Sequence, residues 1–147
     1  MKVYFDTNVL IAALHPNHPH HPDSFAALAR TAGNETEGYF SAQGLSELYS
    51  VLTRTPFNPP IYPDEARPMI EKTVVRLLHI VNLRSEDYLH AVAICTEQGL
   101  RGGRIHDAVH VQAAVRAGCD VIYTYDQADF ASVRGQFQGR IDGPPAS

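Results

Sequence analysis

Short apolar runs that stop at a polar residue alternate with longer stretches in which apolar residues recur every three or four positions. Met1 to Phe5, with Val3-Tyr4-Phe5 at its heart, predicts a buried strand, and Asn8 to Leu14 a short helix behind it. His15-Pro16-Asn17-His18-Pro19-His20-His21-Pro22 predicts a loop, since its prolines fix φ and donate no hydrogen bond. Asp23 stands where it can cap a helix through Ala32, which Gly33 ends. Tyr39 and Phe40 mark a second strand. Ser41 then occupies the N-cap position of a helix through Thr53, with Leu45, Leu48, Val51 and Leu52 on one face.

A second proline-rich loop, Pro56 to Pro63, precedes a predicted helix from Asp64 to Leu78 with Pro68 in its first turns. Ile80 to Leu83 reads as a third strand, and Ser85 caps a helix that stops near Gly99. Arg101-Gly102-Gly103-Arg104 forms a flexible connector into a helix from His106 to Ala117, closed by Gly118. Val121 to Tyr125 is the clearest strand, and a helical turn and an edge strand near Arg140-Ile141 follow. Strands alternating with helices predict an α/β fold, a three-layer α/β/α sandwich with a central parallel sheet. No repeat or long linker divides the chain, so residues 1–147 are expected to form one domain. In such sheets ligands gather at the carboxyl ends of the strands.

Composition narrows the chemistry. Hydrophobic residues make up 44% and charged residues 19% of the chain, a globular balance. The net charge of −4 gives no global basic field for nucleic acid, which disfavours a pure binding protein but leaves room for a metal-dependent nuclease with an acidic centre. Lys2 and Lys72 are the only lysines, which disfavours acidic-pocket chemistries that need one. Cys95 and Cys119 lack metal-ligand spacing and read as reduced structural thiols. No apolar stretch approaches the roughly 18 residues that span a bilayer. Asp6 interrupts the N-terminal apolar run too early for a signal peptide, and a cytoplasmic location is expected.

Four acidic residues stand at the margins of the apolar pattern. Asp6 closes the first strand, Glu47 interrupts the apolar face of its helix, Asp107 opens an alanine- and valine-rich helix, and Asp126 closes Val121 to Tyr125. Each has an ordinary reading alone: Asp6 as a helix cap, Glu47 as a solvated edge residue, Asp107 as a helix-dipole partner, Asp126 as a turn residue. Together, on strand ends and helices facing one crevice, they would be costly unless a cation met them. A divalent metal is the simplest such cation.

The ordered set resembles the PIN domain, and within it the small VapC-like toxins of prokaryotic toxin–antitoxin pairs. The resemblance is carried by Val3-Tyr4-Phe5-Asp6-Thr7-Asn8-Val9-Leu10-Ile11, Ser46-Glu47-Leu48, Gly103-Arg104-Ile105-His106-Asp107-Ala108 and Ile122-Tyr123-Thr124-Tyr125-Asp126-Gln127-Ala128-Asp129-Phe130. It implies an endoribonuclease in which Asp6, Glu47, Asp107 and Asp126 hold one or two Mg²⁺ or Mn²⁺ ions and act on RNA. Thr124 matches the hydroxyl residue that supports such a site, and Asn8 would orient Asp6. Asp129 competes with Asp126 for the fourth carboxylate, with Asp126 favoured because it directly follows the strand. The resemblance further implies a cognate antitoxin and a homodimer.

Arg54, Arg101 and Arg104 are candidates for phosphate contact, since guanidinium forks suit phosphate oxygens. His106 and His110 flank Asp107 one turn apart, placed either to pack or to assist substrate. The histidine-proline loop has no carboxylate or cysteine to complete a second metal set and reads as a surface loop near the site's mouth. An aspartate-nucleophile phosphatase would want a second aspartate two residues after Asp6, where this chain has Asn8, or a well-placed lysine. A non-catalytic PIN-like module would be favoured by the loss of an acidic position, and all four are present.

Overall fold

The computed structural model describes residues 1–147. In chain order it contains β1 (Lys2–Phe5), α1 (Thr7–Leu14), α2 (His21–Ala32), β2 (Glu37–Ser41) and α3 (Ala42–Arg54). Then come α4 (Pro63–Pro68), a π-helical turn (Met69–Val74), α5 (Val75–Leu77) and β3 (His79–Val81). The chain ends with α6 (Ser85–Gln98), α7 (Arg104–Ala117), β4 (Val121–Tyr123), α8 (Gln127–Ser132) and β5 (Arg140–Asp142).

The strands form one parallel sheet in the order β3-β2-β1-β4-β5. Composition explains the order. Val3, Tyr4 and Phe5 of β1 and Val121 and Ile122 of β4 are fully buried, as central strands covered on both faces require. The edge strands β3 and β5 carry exposed His79, Arg140 and Asp142. Helices α1 to α5 pack among themselves, as do α6, α7 and α8, giving the two outer layers of the predicted sandwich. From β1 the chain crosses to β2 and β3 on one side, then returns to β4 and β5 on the other. The gap beyond the carboxyl ends of β1 and β4 is therefore the switch point at which such sheets open a crevice.

Ser41 caps α3, its Oγ accepting the Gly44 N–H at 2.9 Å. Gly99 and Gly118 end α6 and α7 in the left-handed region, with φ of 65° and 69°. Several boundaries differ from expectation. Helix α2 begins at His21, because Pro22 fits a first turn, where its missing N–H is not needed. Ser85 is the first residue of α6, and the cap comes from Asp87, whose Oδ2 accepts the Arg84 N–H at 2.9 Å. The predicted helix over 64–78 is interrupted where Pro68 offers no N–H, and the backbone widens into a π turn directly after it. Strand β3 sits slightly earlier than predicted, and Arg104 already belongs to α7. Strand β4 stops at Tyr123, so Asp126 no longer closes it. No helix is long and apolar enough to cross a membrane.

Candidate active site

Asp6 occupies the N-cap position of α1, yet its carboxylate makes no capping hydrogen bond. It is 4% exposed and accepts a 2.8 Å hydrogen bond from Thr124 Oγ1 in the segment after β4. The helix-cap explanation of this aspartate therefore fails, since the side chain turns across the sheet instead. Burial, reinforced by the nearby Asp107 and Glu47 charges, pushes the Asp6 pKa up to about 6 despite Thr124 and His110.

Glu47 reaches the same crevice from the second turn of α3. Burial opposes its charge, but His110 and Thr7 favour it more strongly, and its pKa falls to about 2. His110 Nε2 lies 3.3 Å from Glu47 Oε1 and 3.2 Å from Thr7 Oγ1. Its Nδ1 lies 2.6 Å from Tyr4 Oη, which itself accepts the Ser41 N–H. That network leaves the Nε2 proton facing Glu47 in either charge state of the ring. Burial works against charge on His110, and the surrounding Glu47, Asp6 and Asp107 outweigh it, raising its pKa. His110 thus belongs to the buried support of Glu47, while His106 is half exposed, its Nδ1 4.0 Å from Glu47 Oε2.

Asp107 stands in the first turn of α7. Its pKa is raised by burial, against the pull of Arg104, whose Nε donates to Oδ2 at 3.2 Å. The same guanidinium donates through Nη2 to Ser132 Oγ at 2.7 Å and to the Asp129 carbonyl at 3.1 Å. Asp129 Oδ1 lies 3.6 Å from that nitrogen.

Asp6, Glu47 and Asp107 line one cleft of about 610 Å³ together with Asn8, Gln43, Ser46, Ser50, Val51, Arg54, Gly103 and His106. Asp126 and Asp129 are exposed near the start of α8, outside that lining. Asn8, expected to orient Asp6, instead donates to Asp126 Oδ2 at 3.2 Å and so ties it to the cleft wall. Thr124 serves both sides, donating to Asp6 and accepting the Asp126 N–H at 2.9 Å. Among the arginines, Arg54 lines the cleft, Arg101 does not, and Arg104 is committed to Asp107 and α8.

The sequence reading missed Thr7, the Tyr4 hydroxyl, Gln43, Ser46 and Ser50. The α3 residues carried a usable signal, since positions 43, 46, 47, 50, 51 and 54 recur at helical spacing on one face. The Tyr4 and Thr7 roles depend on the packing of β1 and α1 against α7, which no local pattern encodes.

Hard carboxylate oxygens on three elements suit a divalent ion in kind. The burial of Asp6, with the Asp107 and Glu47 charges nearby, disfavours its ionised form, and such an ion would relieve that cost. No three His, Cys, Asp or Glu side chains are set together for metal ligation, and Asp107 and Glu47 are instead engaged by Arg104 and His110. Of the three carboxylates Arg104 engages Asp107, His110 engages Glu47, and Asp6 has no cationic side chain within salt-bridge distance.

A family model described as the PIN domain matches residues 3–136. The chain belongs to the PIN-domain family. Its fold is shared with VapBC2 of Rickettsia felis, solved with a DNA fragment from its promoter, at a TM-score of 0.67 and 15% identity over 97% of this chain and 98% of that one. It is shared with Mycobacterium tuberculosis VapC20, a sarcin–ricin-loop-cleaving toxin, at a TM-score of 0.70 and 14% identity over 88% and 94%. FitAcB from Neisseria gonorrhoeae superposes at a TM-score of 0.68 with 16% identity over 97% of both chains. A comparison with curated proteins finds no match. In this PIN domain the acidic crevice lies at the sheet's switch point, where a parallel α/β fold presents ligands.

Proposed function

We propose that this PIN domain is a divalent-metal-dependent endoribonuclease, acting as the toxin of a toxin–antitoxin pair. The observation that carries the reading is the convergence of Asp6, Glu47 and Asp107 on one cleft, with Asp6 buried and its pKa raised beside two like charges. Membership of the PIN family and the fold shared with a sarcin–ricin-loop-cleaving toxin support the substrate class and the toxin role.

Asp6, Glu47 and Asp107 would hold Mg²⁺ or Mn²⁺, with Asp126 as the fourth carboxylate and Asp129 as its rival. When bound, the ion supplies Lewis acidity toward the phosphodiester and its attacking water. The protein's own part is orientation. Thr124 fixes the Asp6 carboxylate, and His110 and Thr7 fix Glu47 in its ionised form. Asn8 holds Asp126 against the cleft wall. Arg54 stands in the cleft as a phosphate contact, and Arg101 and Arg104 flank the approach to Asp107.

A cognate antitoxin, a homodimer and a cytoplasmic location belong to the same reading. Leu89 and Val92 of α6 are 67% and 50% exposed beside Tyr88, an apolar area suited to a second subunit. Light scattering on the purified chain tests the dimer, and co-purification with the product of an adjacent small reading frame tests the antitoxin.

The deciding experiment is cleavage of single-stranded RNA with Mg²⁺ or Mn²⁺. Activity should vanish with EDTA and in Asp6→Asn while the circular-dichroism spectrum is unchanged. Cleavage that survives Asp6→Asn would remove the mechanism.

A further inference from the structure

We infer that helix α3 is the rail along which the substrate strand lies, with Arg54 holding a phosphate remote from the scissile bond. The inference rests on the nuclease reading above and adds where the rest of the RNA goes. Gln43, Ser46, Glu47, Ser50 and Arg54 share one face of α3, and that face is a wall of the acidic cleft. Val51 is the single apolar residue lining it. A helix stripe of this kind would ordinarily turn to solvent or to a neighbouring helix, yet here it forms a groove wall that starts at the carboxylates.

The two ends of the stripe are unpartnered. At the inner end, the Gln43 side-chain amide leaves its Oε1 buried with no hydrogen-bond partner, although it lines the cleft beside Glu47 and His106. A buried acceptor left unmade is costly, and turning the amide into the cleft to meet a ligand's donor would relieve it. Nucleotide sugars and bases bring such donors, whereas phosphates do not. At the outer end, the exposed Arg54 guanidinium is in no salt bridge, in contrast to Arg104, which is engaged by Asp107, Asp129 and Ser132. Arg54 is thus the one arginine of the cleft free to take an anion.

The spacing fits a strand. Seven helical steps separate Glu47 from Arg54, about 10 Å along the axis at 1.5 Å per residue. A stacked strand rises about 3.4 Å per nucleotide, so Arg54 stands about three nucleotides from the carboxylates. Ser46 and Ser50, between them, offer hydroxyls to the intervening backbone. That offset places Arg54 for a phosphate further along the strand than the scissile one.

The test is a substrate-length series. Cleavage of a dinucleotide and of a hexanucleotide in Mg²⁺ is compared for the wild type, Arg54→Gln and Arg54→Lys, with Arg76→Gln as a surface control of equal charge change. In Arg54→Gln the hexamer-to-dimer ratio of kcat/KM should fall about tenfold, chiefly through KM, and the salt slope of binding should drop by about one. Arg54→Lys should recover much of the loss, and Arg76→Gln should match the wild type. Gln43→Leu should raise the melting temperature, since it removes the unpaired acceptor, while lowering kcat/KM on both substrates. A hexamer-to-dimer ratio unchanged in Arg54→Gln overturns the rail. Should the wild type cleave nothing, the nuclease reading fails separately, and hexanucleotide binding by fluorescence anisotropy in Ca²⁺ decides the rail. There, equal affinity of Arg54→Gln and wild type rejects it.

Discussion

The carboxylates of the cleft's inner wall and those at its outer rim are held by opposite means. Asp6 and Glu47 are fixed from behind by Thr124, Thr7 and His110, with Tyr4 and Ser41 completing a hydrogen-bonded chain drawn from β1, β2, α1 and α7. Asp126 and Asp129 sit exposed near the start of α8, and their carboxylates touch the site through one side chain each, Asn8 and Arg104. The difference teaches where the constraint lies. Inner groups cannot move without leaving buried partners unpaired, whereas rim groups can be rearranged at the cost of exposed contacts.

The largest effect should come from breaking the inner network. His110→Leu removes the donor that Glu47 uses and leaves Tyr4 Oη and Thr7 Oγ1 short of a partner in the core. We expect a loss of about 3 kcal/mol in urea denaturation, the scale of a buried charge pair with one member deleted. A loss under about 1 kcal/mol would show that Glu47 is held otherwise.

Next in size is a pH effect from Asp6. Its pKa is about 6 in the fold against 3.8 ordinarily, so between these values the unfolded chain has already given up the proton that the folded chain keeps. Stability from this group is complete below about pH 4 and is lost as pH rises through about 6, by about 2 to 3 kcal/mol. Glu47, with a pKa near 2, works in the opposite sense, contributing above its ordinary 4.5 and failing only as pH falls towards 2. Unfolding free energies from pH 4.5 to 7 in EDTA should therefore decline in the wild type, decline less steeply in Asp6→Asn, where the raised Asp107 and His110 still contribute, and decline less with Mg²⁺ present. A slope identical in the wild type and Asp6→Asn would place the charge elsewhere.

Much of this contrast could be read in advance on one side only. The strand ends and helix faces that bear Asp6, Glu47 and Asp107 follow from apolar runs, because such runs report burial directly. The three-layer parallel sheet follows from the same alternation. The partners of Asp6 and Glu47 do not, since Thr124 and His110 are 118 and 63 residues away in the chain and meet their targets only through tertiary packing. The end of β4 differs from expectation for a local reason: Thr124 and Tyr125 continue the apolar and β-branched run, but β4 ends at Tyr123, and Thr124 Oγ1 turns to hydrogen-bond Asp6 and the Asp126 N–H.

Thr124→Val sharpens the boundary between the two regions, because this one hydroxyl serves both. Valine keeps the shape but cannot donate to Asp6 or accept from the Asp126 N–H. The expected cost is about 1 to 2 kcal/mol by thermal or urea unfolding. The Asp6 titration should also move upward, visible as a shift of the pH-dependent decline to higher pH.

The smallest effects on stability belong to the rim, and there the measurement that discriminates is ion binding. Asp126→Ala and Asp129→Ala should each change unfolding free energy by no more than about 0.5 kcal/mol, as exposed surface positions do. Their consequences for the cleft differ in kind. Asp126 is held through Asn8, a residue of the cleft wall, so its removal takes an oxygen donor from the proposed ion's surroundings. Asp129 acts at one remove, raising the Asp107 pKa by its charge while sharing Arg104. Its removal leaves Arg104 to Asp107 and lessens the like-charge repulsion there. Calorimetric titration with Mn²⁺ should thus show about tenfold weaker binding in Asp126→Ala, the scale of losing a supporting carboxylate, and a smaller change in Asp129→Ala. The reverse order would give the fourth place to Asp129 and make Arg104 the residue that delivers it.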